Sequence, residues 1–169
     1  MSPIYYTLLI YDDWTIYLAA TSKGLCFVGS TPSSFDEMAE WATKHMPQAD
    51  LLLDDEKMAP YLTAFIDYLS GKSRELNLPS DIKGTPFQLE VWQALRMIPY
   101  GETVTYGELA SRLGRSPMAA RSVGTAIGKN PLLIIFPCHR VIPKSGAPRG
   151  FRGGLEMKRR LLELEQTSL

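Results

Sequence analysis

Residues 72–83 carry turn chemistry in Asn77, Pro79, Ser80 and Asp81 and no hydrophobic period. This break divides the chain, and each side has to be read for its own pattern. A length of 169 residues with 45% hydrophobic composition leaves room for two small domains. The expected boundaries are 1–76, a linker at 77–84, and 85–169. Charge follows the same division. Residues 1–85 hold 6 Lys or Arg against 12 Asp or Glu, and residues 86–169 hold 12 against 6, so a net of −6 faces a net of +6. A polyanion would dock on the second half.

The first half starts with stretches rich in Ile, Tyr, Leu and Thr at 4–10, 14–20 and 25–29. Asp12, Asp13 and the pair Lys23, Gly24 punctuate them, which predicts a small antiparallel meander. Helices are expected over 33–44, started by Ser33 or Ser34, and over 58–69, with Leu62, Phe65, Ile66 and Leu69 at helical spacing and Gly71 as the stop. In the second half, Thr85, Pro86 and Gln88 form a capping box with proline at the first helical position, predicting a helix to about Met97. Thr105 and Glu108 start a short helix that Gly114 ends. Ser116 and Pro117 restart the chain as a helix to about Gly128, and a last helix is expected over 154–165. Helix, short turn, helix is the pattern of a helix-turn-helix. The fold class is therefore α+β, a small N-terminal antiparallel sheet with helices followed by a mostly helical C-terminal domain.

The second helix of that pair is built from small residues. Ala119, Ala120, Ser122, Gly124 and Thr125 offer little reach to base edges, while Arg121 and Lys129 supply charge. Such a helix can approach a groove closely without reading sequence. The densest chemistry follows, where the apolar run 131–136 delivers Pro137, Cys138, His139 and Arg140. An inert buried cysteine behaves as a small hydrophobe and needs neither neighbour. A cysteine attacks as thiolate, and a thiol of pKa about 8.5 needs a base or a positive field to ionise near neutrality. His139 is the candidate base. On an extended chain it points away from Cys138, so a bridging water or a bend after Pro137 has to bring the two into register. Glu165 is the leading candidate to orient the imidazole, with Glu102 and Glu163 open by spacing. The sulfur is expected to be ionised at the mouth of a pocket.

Cys26 has no partner in sequence, and two cysteines and two histidines lack metal-ligand spacing, so neither a disulfide nor a metal nor another cofactor is expected. The apolar run 132–136 is far short of a membrane span and no leader opens the chain, which makes the cytoplasm the expected location.

The run Pro137, Cys138, His139, Arg140, Val141, Ile142 resembles the active-site motif of the O6-alkylguanine-DNA alkyltransferases of Ogt type. Arg121 to Gly124 with Asn130 and Pro131 is similar to that family's recognition helix and asparagine hinge, and Gly153 to Glu165 to its closing segment. The likeness is dense over 85–169 and an outline before it. It implies a ribonuclease H-like first domain, and irreversible single-turnover transfer of an alkyl group from O6 of guanine, with O4 of thymine as a second substrate, to Cys138. Also implied are His139 as water-mediated base backed by Glu165, Asn130 as brace of the turn, Arg121 as the finger that fills the gap of an extruded nucleotide, and Tyr106 as the residue that presses on the target's 3' phosphate. Ala119, Ala120, Gly124, Thr125, Lys129 and Arg140 would join Tyr106 and Arg121 against DNA. The flipped base would rest against Tyr106, Val141, Ser145, Phe151 and Arg152. Phe151 stands where the family has a tyrosine hydroxyl and Arg152 where it has a small residue, so the main-chain N–H or guanidinium of Arg152 is expected to take the charge at O6. The implied partner is double-stranded DNA, bound without sequence preference through the minor groove by a monomer, with cooperative binding along DNA as an alternative. Two competing readings are a lesion-binding alkyltransferase-like protein, which carries tryptophan at the acceptor position, and a Cys-His hydrolase, whose histidine normally comes from a distant segment.

Overall fold

The computed structural model describes residues 3–145 and 151–168. By compactness the chain divides after Ile82. In the first unit, strands β1 (Ile4–Tyr11), β2 (Trp14–Thr21) and β3 (Gly24–Val28) pair antiparallel in sequence order. On β2 the buried Trp14, Ile16 and Leu18 alternate and share a face with Thr7 and Leu9 of β1, while Ile4 and Ala19 lie on the opposite face in a cluster with Met38 and Ala42, so both faces of the sheet are covered. Helix α1 (Phe35–His45) is capped by Ser34, whose hydroxyl accepts from Glu37 N, and α2 (Asp55–Leu69) by Asp54, whose carboxylate accepts from Lys57 N. Met38, Met58 and Phe65 from these helices are fully buried, each worth about 1.5–3 kcal/mol of transfer free energy.

Two features of this unit depart from the expectation. A fourth strand, β4 (Leu51–Leu53), lies parallel to β1, so the sheet is mixed, in the order β3-β2-β1-β4. Three residues are too few to show alternation, and a parallel neighbour is supplied by a helical crossover, here α1. The stretch expected as a linker is also partly bound. Leu25 N donates to Pro79 O, Asp81 N to Leu25 O, and Thr21 Oγ1 to Asp81 Oδ2. At Gly24 the backbone of Pro79 and Ser80 comes too close for any Cβ, so residues 79–81 lie along the β3 edge.

The second unit opens with α3 (Pro86–Leu95), where both halves of the Thr85–Gln88 capping box are made. After β5 (Val104–Thr105), Thr105 caps α4 (Tyr106–Arg112), and Gly114, at φ 71°, ends that helix's excursion. A 3-10 turn over Pro117–Ala119 leads into α5 (Ala120–Gly128), completing the helix-turn-helix. Strand β6 (Val141–Ile142) pairs parallel with β5, Val104 against Val141 and Thr105 against Ile142. This two-residue ladder, too short to leave a sequence signal, ties the cap of α4 to the segment that follows Cys138. Helix α6 (Leu155–Thr167) closes the unit. No helix among the described residues is long and apolar enough to cross a membrane.

Candidate active site

The apolar run after α5 is a turn and not a strand. Phe136 N donates back to Leu132 O, Cys138 N to Phe136 O, and Ile134 holds a φ of 75°, a conformation costly for a β-branched residue. Asn130 locks both ends. Its Oδ1 accepts from Leu132 N at 2.9 Å and its Nδ2 donates to Phe136 O at 2.9 Å. The same amide nitrogen lies 3.3 Å from Cys138 Sγ. Trp92 supports the turn from α3, stacking on Phe136 and donating from Nε1 to Ala126 O. Beyond Pro137 the chain winds into a 3-10 turn over Cys138–Arg140, a bend at the position the sequence reading offered as one of its two alternatives.

That turn aims His139 and Arg140 at α6. His139 Nε2 is 2.6 Å from Glu165 Oε2, and Arg140 donates from Nε to Oε1 at 2.8 Å and from Nη2 to Oε2 at 3.0 Å. Glu165 is thereby the carboxylate behind the imidazole. Of the alternatives, Glu163 pairs with Arg159 at the surface and Glu102 is exposed. An ion-paired carboxylate accepts, so the neutral imidazole carries its proton on Nε2 and presents a lone pair at Nδ1. Nδ1 is buried and has no hydrogen-bond partner, which leaves it able to take a proton. Burial holds His139 below its ordinary pKa, against the opposing pull of Glu165, so the ring rests neutral at pH 7.

Two expectations are corrected here. The Cys138 sulfur was expected to be ionised at a pocket mouth, yet the residue is 2% exposed and burial pushes its thiol up. Desolvation outweighs the lowering by Asn130, Arg152 and Lys158, so the resting group is a thiol and needs its proton removed. Cys26, for comparison, is pushed up to about 12 by burial and by Asp81. Arg140 was expected on DNA, yet it is 7% exposed and commits its guanidinium to Glu165 and to Ile98 O at 2.6 Å. It braces the carboxylate. Withdrawing it toward solvent would strand a buried charge.

A cleft of about 770 Å³ opens between α4 and α5, lined by Tyr106, Ala120, Arg121, Gly124 and Thr125 among the expected residues, with Pro143 and Lys144 at its edge. A Cβ at Gly124 would make ordinary van der Waals contact with the Tyr106 ring at 3.6 Å, so the ring lies close along α5 there. Ala119 is half-buried in the 3-10 turn and Lys129 is exposed at the end of α5, neither lining the cleft. Ser145 is exposed beyond Lys144, and Phe151 is buried against Gly153. Arg152 directs Nε to Asn130 O at 3.1 Å and Nη2 to Pro131 O at 3.4 Å. Val141 is buried, its carbonyl accepting from Lys158 Nζ at 2.7 Å. Lys144 escaped the sequence reading, and Lys158 entered it only as part of the closing segment. A signal for Lys158 was available, since it shares the apolar stripe of α6 with Leu161 and Glu165.

Residues 4–82 match the ribonuclease-like domain, and residues 86–167 the DNA binding domain, of the 6-O-methylguanine DNA methyltransferase family. The chain is 48% identical over 163 residues to the inducible methylated-DNA–protein-cysteine methyltransferase of Bacillus subtilis strain 168, covering 96% of this chain and 90% of that protein. Among solved structures, the Mycobacterium tuberculosis O6-methylguanine methyltransferase superposes with a TM-score of 0.84 at 34% identity, covering 98% of this chain and 94% of that one. The M. tuberculosis OGT in complex with DNA does so with 0.82 at 35% identity, covering 97% and 94%.

Proposed function

The chain belongs to the 6-O-methylguanine DNA methyltransferase family, and from that premise we propose how its residues divide the labour of repairing methylated DNA by direct reversal. The activity is that of a methylated-DNA–protein-cysteine methyltransferase, and the protein binds DNA. Cys138 is the acceptor. The observation that carries this assignment is a cysteine held 3.3 Å from the Asn130 amide beside a histidine whose Nε2 is held by Glu165 and whose Nδ1 has no hydrogen-bond partner.

The thiol proton passes through a water to His139 Nδ1, and the imidazolium that forms is stabilised by Glu165. The sulfur lone pair makes the S–C bond in line as the C–O6 bond breaks, its electron pair moving to O6. The purine then takes a proton back and leaves as guanine, so one alkyl group has moved and no proton is gained or lost. Asn130 Nδ2 donates to the sulfur and holds it in the attacking position at about 3 to 3.5 Å. Where the family has a tyrosine hydroxyl, the Arg152 main-chain N–H takes over at O6, since the guanidinium is engaged with Asn130 O and Pro131 O. The thioether is stable, so each molecule acts once.

The lesion has to leave the helix to reach the sulfur. Arg121 and Tyr106 line one cleft on the helix-turn-helix, an arrangement suited to a finger that enters the stack and a ring that pushes the phosphate. Small side chains along α5 allow close approach to a minor groove without base-edge contacts, which favours binding at any sequence. The test is a titration of methylated duplex against protein. Repaired bases per molecule should plateau at one, with none removed from a second addition of substrate. Continued turnover would refute the acceptor assignment.

A further inference from the structure

Met118 is 92% exposed, more than any other large apolar side chain among the described residues, although its backbone is firmly held. Met118 N donates to Ser116 Oγ at 3.2 Å and Ala119 N to Ser116 O at 2.8 Å, and Pro117 fixes the first position of the 3-10 turn. A single exposed apolar side chain is common and by itself marks nothing. What sets Met118 apart is where the turn points it. Side chains three apart eclipse in a 3-10 turn, and steps of three, four, seven and eleven from Met118 reach Arg121, Ser122, Thr125 and Lys129, all exposed. Met118 therefore leads the solvent face of α5, one turn ahead of Arg121. Pro117, Ala120 and Arg121 line the cleft, and Met118, between them in the chain, stands outside it.

The surrounding charge says what can cover this face. No Asp or Glu occurs between Glu108 and Glu156, a stretch that carries Arg112, Arg121, Lys129 and Lys144, so a polyanion is favoured over an apolar protein surface. A minor groove offers both partners at once, with phosphates at its rims for the cations and base steps at its floor that open to apolar wedges, methionine among them.

We propose that Met118 is a second intruding residue, an apolar wedge that enters the minor groove beside Arg121 and packs on the base step next to the extruded nucleotide. The proposal rests on the reading that Arg121 fills the vacated stack, and it adds what opens the neighbouring step. A guanidinium in the gap replaces the lost base. An apolar side chain in the adjoining step unstacks it and kinks the duplex toward the major groove, which widens the minor groove for α5. Methionine suits the task at any sequence, because its unbranched, polarisable chain adapts to whichever step it meets.

The experiment uses the full chain and duplexes carrying one O6-methylguanine, with 2-aminopurine placed in turn on each side of the lesion, since its fluorescence rises on unstacking. Met118→Ala should slow single-turnover repair of duplex about tenfold, equivalent to about 1.4 kcal/mol of lost apolar contact. It should also remove the fluorescence rise that the wild-type protein produces beside the lesion. Met118→Leu should restore both readouts. Met118→Lys should bind undamaged duplex more tightly, with a salt dependence steeper by about one counterion, and restore neither. Restoration by lysine as well as leucine would reveal a phosphate contact and overturn the proposal, as would wild-type rates and fluorescence in Met118→Ala, or an equal loss with free O6-benzylguanine. Its failure is separable from that of the reading beneath it. If Arg121→Ala slows duplex repair and Met118→Ala does not, the wedge alone falls; if methylated duplex leaves wild-type Cys138 unmodified, the acceptor assignment falls.

Discussion

Replacing Glu165 by glutamine should slow alkyl transfer on the order of 100-fold and lower the free energy of unfolding by about 3 kcal/mol. Both effects have one source. Glu165 is 1% exposed and receives His139 on one side and two bonds from Arg140 on the other. An amide of the same shape can accept one of these bonds but carries no charge, so the Arg140 guanidinium is left buried without its counter-ion. The catalytic loss arises at the imidazole. Without the carboxylate nothing fixes the proton on Nε2 or stabilises the imidazolium, and Nδ1 is a poorer base in a site that already disfavours the charged ring. Urea unfolding gives the loss of stability, and single-turnover rates on protein shown to be folded give the loss of transfer. A folded Glu165→Gln variant that transfers at the wild-type rate would remove His139 from the mechanism.

Arg121→Ala should reduce repair of duplex DNA by on the order of 100- to 1,000-fold while changing the reaction with free O6-benzylguanine by no more than about twofold. Extruding a nucleotide costs a few kcal/mol, and each 1.4 kcal/mol is about tenfold, so losing the group that fills the vacated stack exposes most of that cost. Free base pays none of it. Arg121 is exposed on α5 and lines the cleft with Tyr106, remote in sequence from the Cys138 turn, so its removal leaves the nucleophile untouched. Equal losses on both substrates would show that Arg121 supports the chemistry and not the extrusion.

How far the sequence could be read depended on the range of the interactions involved. The starts of α1, α3 and α4 were legible because caps are local: Ser34, Thr85 and Thr105 each accept from a backbone N–H three residues on. The three long strands were legible from period and turn residues. β4, β5 and β6 were not, because two or three residues show no period and their partners lie 37 or more positions away. The site was legible as residue types: Asn130 meets Cys138, and Glu165 meets His139. Its electrostatics were not. Whether Arg140 faces DNA or a carboxylate depends on the 3-10 turn, which Pro137 hints at and Asn130 closes from six positions before Phe136. The protonation of Cys138 depends on burial, which no local pattern reports. Lys158 showed only as a charge on an apolar stripe, a position usually filled by a solvated side chain.

The most direct test is to digest the protein after incubation with excess methylated duplex and weigh both cysteine peptides. The peptide holding Cys138 should gain the mass of one CH2 group in every molecule, while the Cys26 peptide, whose thiol is pushed up to about 12, gains nothing. An unmodified Cys138 in protein that has demethylated its substrate would contradict the account at its centre.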